Sequence, residues 1–303
     1  MQTEFLSDFK ARIAQERLNV FGVAVQQHGQ LIASHQFAAD IPRVLHSLSK
    51  SFAAAGVGMA IEAGLFSLQD KVVDFFPEDC PEQISPELAA MNVWHLLTMS
   101  AGHDEAQMLS QKRIHIQDPN WVRYYLSLPL DRMPGERFVY DSACTYILAA
   151  IMEKVTGEHL VDYLMPRLFA PLGITQRPLW ETCPRGITLG CAGLHLRTQQ
   201  ILPFGQMYLD GGVYNGQQVV PAAWVKESMK KQIDSTFPEG YDWCQGYGYQ
   251  FWLCRNGAVR GSGANSQYCI IWPEKDAVIA VTSNETRQQE VLDAVWETIG
   301  NQL

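Results

Sequence analysis

Ser47 and Lys50 stand three residues apart, just ahead of the largely apolar segment 51–61. Residues at this spacing share a face of a helix, so the hydroxyl and the amine are expected to lie side by side. The unpaired N–H groups and the positive dipole of a helix start would stabilise an anion that develops near Ser47. A lysine that loses hydration favours its neutral form, which can accept a proton. The pair therefore predicts an activated serine nucleophile.

The S-x-x-K spacing alone leaves a second interpretation open. Ser47 could be a helix N-cap and Lys50 an ordinary surface lysine. The same spacing recurs at Ser228 and Lys231, where charged neighbours predict an exposed helix without chemistry. Motifs this short produce false matches, so residues elsewhere in the chain must decide between the interpretations.

A second candidate element is Tyr140, which precedes a helix expected to be capped by Asp141. A phenol placed beside a lysine ammonium could exchange protons with a serine hydroxyl. The commoner fate of a tyrosine is a core position whose hydroxyl bonds to backbone. Both interpretations stay open on the local sequence.

A third candidate element, residues 260–264 (Arg-Gly-Ser-Gly-Ala), opens a strand near the C-terminus. Glycine in a strand permits close approach of a ligand to the backbone. The structural alternative is a β-bulge or a loose hairpin end. The element is a candidate substrate-binding edge.

Composition excludes several classes of function. The 303 residues carry 47% hydrophobic and 18% charged side chains, as in an ordinary globular protein. A net charge of −9 argues against a nucleic-acid partner. No stretch approaches the roughly 20 apolar residues that span a bilayer, so no membrane partner is expected. The expected partner is a small-molecule substrate.

The cysteines and histidines give no sign of a metal site or a cofactor. The seven cysteines are scattered without a C-x-x-C pair, which favours reduced thiols over disulfides. The eight histidines show no metal-ligand spacing, so neither metal nor cofactor is expected. The N-terminus forms an amphipathic helix pattern and lacks the features of a signal peptide, which predicts a cytoplasmic location.

Hydrophobic periodicity places strands at both ends of the chain and helices between them. Strand patterns are expected at residues 21–27, 31–37, 249–255, 258–260, 268–272 and 277–282. This order predicts an α/β (α+β) fold, with an antiparallel sheet flanked by N- and C-terminal helices. We expect one domain, 1–303, with an α/β lobe at about 1–45 and 240–303. A mainly helical lobe is expected at about 46–239.

Three stretches carry a resemblance to a known family, namely HSLSKSF at 46–52, VWHLLTMSAG at 93–102 and GYGYQFW at 246–252. Together with the three candidate elements, in this order, they resemble the serine β-lactamase and penicillin-binding-protein superfamily. The chain is most similar to its class C β-lactamase and esterase-like branch. The resemblance extends from the first strand to the last helix and implies a β-lactamase/transpeptidase-like fold.

The resemblance also implies roles for individual residues. Ser47 would be the acylated nucleophile and Lys50 its proton-handling partner. Tyr140 would act as general base and then as general acid toward the leaving group. The backbone N–H groups of Ser47 and Ala264 would form the oxyanion hole, in which one donor typically contributes about 2.7–4 kcal/mol.

Two positions depart from the family pattern. Ser142 stands where the family has the asparagine of Y-x-N, and Gly261 stands where it has a basic residue. Arg260 is one position earlier, and strand neighbours point to opposite faces, so it would need a bulge to substitute. Without this cation a smaller or neutral ester or amide substrate is expected. The predicted substrate-binding residues are Arg260, Gly261, Ser262, Gly263 and Ser142.

The favoured hypothesis is a serine hydrolase that forms a covalent acyl-enzyme with an ester, amide or lactam. The main alternative is a non-catalytic binding or sensing module that retains the fold. An α/β-hydrolase is disfavoured because no G-x-S-x-G motif occurs. A cell-wall carboxypeptidase is chemically close but would require export.

Overall fold

A computed structural model describes residues 2–236 and 241–303 of the chain. Its strands are β1 Val20–Gln27, β2 Gln30–Gln36, β3 Arg43–Val44, β4 His195–Leu196, β5 Val213–Tyr214, β6 Gln217–Gln218, β7 Trp252–Leu253, β8 Val259–Gly263, β9 Gln267–Trp272 and β10 Ala277–Ser283. Six of them form an antiparallel sheet in the order β2-β1-β10-β9-β8-β7. The sheet therefore joins strands from both ends of the chain.

The helices lie before the sheet strands, between them and after them. They are α1 Gln2–Phe5, α2 Ser7–Glu16, α3 Ser49–Glu62, α4 Val72–Phe75, α5 Pro86–Ala90, α6 Val93–Leu97, α7 Ser110–Arg113, α8 Trp121–Leu126, α9 Ser142–Thr156, α10 Leu160–Leu164, α11 Thr198–Leu209, α12 Ala222–Ser228 and α13 Gln288–Ala294. Wider π-helical turns continue α10 at Met165–Phe169 and α13 at Val295–Gly300. A 3-10 turn, His46–Leu48, leads into α3.

Helices cover both faces of the sheet. On one face α2 and α13 bury Phe9, Ile13 and Val291 against the strands. On the other face α11 packs against β1, β9 and β10, while α3 contacts β8 and α9. Every residue of α3 from Ser49 to Ala60 is buried, as expected for a helix without a polar face. The nucleophile segment thus enters the molecule between the sheet and the helical layer.

Local sequence signals account for the ends of several elements. The β1–β2 turn uses positive φ at His28 (50°) and Gly29 (71°), the geometry of a tight hairpin turn. Asp141 caps α9 by accepting a hydrogen bond from Ala143 N, and the left-handed Gly157 ends the helix. The cap at Asp141 is found where the sequence predicts it.

The predicted fold class is confirmed, because an antiparallel sheet from both termini encloses a helical insertion. The division into lobes stays a prediction, and its boundary at 239/240 lies outside the described residues. Helix α11, assigned from sequence to the helical lobe, lies against the sheet. No helix in the described part of the chain is long and apolar enough to cross a membrane.

Two local expectations differ from the structure, and one strand pairing was not predicted. Strand β7 is shorter than the predicted 249–255, because Gln250 is left-handed (φ 64°) and its side chain donates to Leu97 O at 2.7 Å. The two-residue pairing of β3 with β4 was not predicted. Ser228 is buried and donates to Val225 O at 3.0 Å, where an exposed helix was expected.

Candidate active site

Ser47 lies in the 3-10 turn immediately before α3, partly exposed to a cavity. The preceding residue, His46, has φ 47°, a left-handed conformation that is uncommon for residues other than glycine. Burial lowers the pKa of His46, while Glu181 acts in the opposite direction and His195 adds to the lowering. The neutral imidazole is thus favoured beside the candidate nucleophile.

Lys50 is 1% exposed and contacts Ser47 directly. Its Nζ donates to Ser47 Oγ at 2.9 Å, to Ser142 Oγ at 3.2 Å and to Cys191 O at 2.8 Å. The Cys191 carbonyl can only accept a hydrogen bond, so one N–H of Lys50 always points toward it. When the amine is unprotonated, the Ser47 hydroxyl can turn its proton toward the free lone pair. The arrangement can therefore serve general-base activation of an alcohol.

Tyr140 and Ser142 are positioned on either side of the N-cap of α9. Asp141 accepts from Ala143 N at 3.0 Å and from Met108 N at 3.1 Å. Lys50 Nζ lies 5.1 Å from the centroid of the Tyr140 ring. The Tyr140 hydroxyl makes no hydrogen bond with any described residue. It is thus available to a ligand in the cavity.

Strand β8 approaches the nucleophile turn along its glycines. A Cβ atom on Gly263 would lie 2.1 Å from Leu45 O and 3.0 Å from Leu48 N. Position 263 therefore requires glycine. Its small size lets the end of β8 lie beside the turn that carries Ser47. The N–H groups of Ser47 and Ala264 have no acceptor among the described residues. They are the donors predicted for an oxyanion hole.

Gly261 faces the interior and does not line the cavity. A Cβ atom there would lie 2.5 Å from Leu48 Cδ1 and 2.7 Å from Ser51 Oγ. No larger side chain fits unless these neighbours move.

The prediction that Arg260 binds substrate disagrees with the structure. Arg260 is fully buried and its Nη1 donates to Asp242 O at 2.8 Å. Its guanidinium carbon lies 4.3 Å from the centroid of the Trp243 ring. The register of β8 on β9 runs without a bulge, so Arg260 keeps the face opposite to Gly261.

The cavity beside Ser47 has a volume of about 470 Å³. Of the predicted site residues it brings together Ser47, Tyr140, Ser142, Ser262, Gly263 and Ala264. Lys50 reaches it through Ser47 and Ser142. The Ser262 side chain is 6% exposed, and its hydroxyl has no hydrogen-bond partner among the described residues. A bound ligand could supply that partner.

Part of the cavity wall consists of residues that the sequence did not indicate as site residues. The additional lining residues are His46, Leu109, Arg113, Ala192, Trp243, Trp252, Thr286, Arg287, Gln288, Gln289 and Glu290. Cys191 was not predicted either; its backbone carbonyl accepts a hydrogen bond from Lys50. A carbonyl carries no side-chain signal, and Arg113 belongs to no motif. Only the tertiary structure shows their proximity to Ser47.

The chain is similar to known proteins in sequence and in fold. The chain is 27% identical to the 6-aminohexanoate-dimer hydrolase of Paenarthrobacter ureafaciens, over 92% of this chain and 76% of that protein. Its structure is similar to the octameric penicillin-binding protein homologue from Pyrococcus abyssi, with a TM-score of 0.76 and 19% identity. That similarity covers 98% of this chain and 77% of the other.

A second solved structure, EstCE1, is described as a hydrolase with promiscuous acyltransferase activity. It matches with a TM-score of 0.77 and 17% identity, over 97% of this chain and 99% of that chain. A family model described as Beta-lactamase matches residues 7–300. This chain therefore belongs to the β-lactamase family, within the serine β-lactamase and penicillin-binding-protein superfamily.

Proposed function

We propose that this protein is a serine hydrolase that cleaves a small ester, amide or lactam through an acyl-enzyme on Ser47. The observation that carries the proposal is the 2.9 Å contact between Ser47 Oγ and Lys50 Nζ at the wall of a cavity. A buried amine in contact with a hydroxyl is an arrangement that activates a serine nucleophile. The family membership supports a hydrolase of this fold.

In the proposed acylation, Ser47 Oγ bonds to the substrate carbonyl carbon while its one proton passes by way of Lys50 to Tyr140. The negative charge on the carbonyl oxygen is stabilised by the N–H groups of Ser47 and Ala264. When the tetrahedral intermediate collapses, the bond to the leaving group breaks. Tyr140 then gives that alcohol or amine the proton that Ser47 lost.

In the proposed deacylation, water takes the place of the leaving group. The water oxygen bonds to the acyl carbon while one of its two protons moves to Tyr140 and, by way of Lys50, on toward Ser47. The bond between Ser47 Oγ and the acyl carbon then breaks, and Ser47 recovers its proton. The product is a carboxylic acid, and the enzyme returns to its starting state.

An ester or amide fits this chain better than a β-lactam does. Gly261 stands where the family pattern has a basic residue, so the carboxylate of a β-lactam would find no cation at this position of β8. The relative from Paenarthrobacter ureafaciens is named a 6-aminohexanoate-dimer hydrolase, which supports a small linear substrate.

A panel of nitrophenyl esters, anilides and a chromogenic cephalosporin tests the proposal. Wild type, Ser47→Ala and Ser228→Ala form a matched set, because Ser228 is the serine of the second S-x-x-K match. We expect turnover of at least one ester or amide by wild type and Ser228→Ala, with loss in Ser47→Ala. Equal turnover by Ser47→Ala would show that Ser47 is not the nucleophile. No turnover by folded wild type would favour a binding module.

A further inference from the structure

Two arginines line the cavity beside Ser47, and their surroundings differ. Arg287 forms ion pairs with Glu285 at 3.0 Å and Glu290 at 3.0 Å. Its charge is therefore balanced within the protein. Arg113, at the end of α7, forms no ion pair with any described residue. No carboxylate among the described residues therefore balances the charge of Arg113.

Arg113 also lies close to the catalytic pair. Its Nη1 is 3.8 Å from Cys191 Sγ, and the carbonyl of the same cysteine accepts the hydrogen bond from Lys50. The guanidinium is partly buried, so a ligand anion there would be only partly screened by water. A guanidinium binds carboxylates through two parallel hydrogen bonds. Arg113 is thus placed to hold an anionic group of a molecule bound at Ser47.

Another residue that lines the cavity, Ser262, supplies a second indication of a polar ligand. The Ser262 hydroxyl lines the cavity, is buried and has no partner among the described residues. Buried hydroxyl groups normally form hydrogen bonds. Strand β8 contributes no cation to the cavity. Gly261 has no side chain, and the Arg260 side chain points away from the cavity toward Asp242 O. Recognition of an anion therefore falls to Arg113.

We propose that Arg113 binds a carboxylate of the substrate, so that the preferred ester or amide is anionic. The inference rests on the proposed function, since it concerns the substrate of the same site. It replaces the sequence-based expectation of a neutral substrate, which considered only the missing cation of β8. Ser262 supplies a further hydrogen bond within the same cavity.

Two matched pairs of esters test the proposal, because the carboxylate could belong to either half of the substrate. The first pair is mono-4-nitrophenyl glutarate and 4-nitrophenyl pentanoate. The second pair is 4-butanoyloxybenzoate and its methyl ester. For each pair the measurement is the ratio of kcat/KM for the anionic ester to that for the neutral ester. Wild type, Arg113→Gln, Arg113→Lys and Lys112→Gln are compared at low and high salt.

We expect a wild-type ratio above one in at least one pair, and a fall of roughly 10- to 100-fold in Arg113→Gln, as for loss of a charged hydrogen bond. Arg113→Lys should restore part of the ratio, and high salt should lower it. Lys112→Gln is the control, because Lys112 pairs with Glu105 and lies outside the Ser47 cavity. Its ratio should equal that of wild type.

The proposal is overturned if Arg113→Gln leaves both ratios unchanged or if Lys112→Gln lowers them equally. Labelling with a fluorophosphonate separates this failure from failure of the proposed function. If Ser47 is labelled in every variant while the ratios do not change, only the assignment of Arg113 is wrong. If folded wild type is not labelled at Ser47, the hydrolase proposal itself fails.

Discussion

Gly263 lies against Leu45 so closely that a Cβ atom on the glycine would be 2.1 Å from the carbonyl oxygen of Leu45. This oxygen belongs to the backbone, so it cannot rotate away as a side chain could. The contact fixes the end of β8 beside the turn that carries Ser47. It thereby sets the separation of the two N–H groups proposed to bind the oxyanion, those of Ser47 and Ala264.

The first prediction compares two glycine substitutions on β8. Gly263→Ala should destabilise the fold by about 1–3 kcal/mol, as overpacking does, and lower kcat strongly. Gly261→Ala should retain more activity, because its added Cβ would meet the side chains of Leu48 and Ser51, which can move. Thermal unfolding and ester turnover of both variants test this. Wild-type activity in Gly263→Ala would contradict the close approach.

The second prediction concerns Lys50. Lys50→Ala and Lys50→Arg should both lower kcat/KM by about 10²–10⁴, because arginine keeps the charge but does not accept a proton. Circular dichroism melts identify any variant that fails to fold. Near-wild-type turnover in a folded Lys50→Arg protein would show that only the positive charge matters.

The third prediction separates catalysis from stability at Tyr140. Tyr140→Phe should lower kcat by about 10²–10⁴ through loss of proton transfer. The midpoint of thermal unfolding should stay close to that of wild type, since the hydroxyl has no hydrogen-bond partner among the described residues. If turnover is unaffected, another group must protonate the leaving group.

Four polar residues meet at this site, and three of them, Ser47, Lys50 and Tyr140, are catalytic candidates that the sequence alone proposes. Their spacing and their positions before helices are local properties of the chain. The fourth, Ser142, was expected as a substrate-binding position. It is found 3.2 Å from Lys50 Nζ and so belongs to the same hydrogen-bond network.

Other parts of the site could not be predicted because they depend on tertiary packing. Cys191 contributes its carbonyl, which any residue would provide. Arg113 follows no recognised spacing, and it reaches the cavity only because α7 lies near Cys191. The orientation of Arg260, in contrast, follows from strand alternation. It depends on β8 having no bulge, which the structure shows and the sequence does not specify.

The fold was more predictable than the site, for a physical reason. Apolar runs and hairpin turns defined β1, β2, β9 and β10 closely, because a short turn joins each pair and β9 and β10 are buried along their whole length. The left-handed Gln250 shortened β7, since its side chain bonds to Leu97 O in the helical layer. That contact joins residues distant in sequence, which no local pattern specifies.

The fourth prediction concerns pH. The Arg287 side chain, with backbone N–H groups of Arg287 and Asn19, lowers the pKa of Glu285 to about 2 from an ordinary value of 4.5, against the opposing effect of burial. A carboxyl whose pKa is lower in the folded state stabilises the fold above its unfolded pKa. This stabilisation should be lost as the pH falls from 4.5 toward 2.

Urea unfolding of wild type and Glu285→Gln at several pH values across this range tests that prediction. The difference in unfolding free energy between the two proteins should shrink as the pH falls, because only wild type loses the charged carboxylate. Asp8→Asn is a control, since Asp8 is exposed and forms no ion pair among the described residues. A constant difference between wild type and Glu285→Gln would contradict the prediction.

The most direct measurement is the intact mass of the protein quenched during turnover of a slowly hydrolysed ester, followed by peptide mapping. We expect a mass increase equal to one acyl group, located on Ser47 and absent from Ser47→Ala. Steady hydrolysis without any adduct, together with full activity of Ser47→Ala, would contradict it.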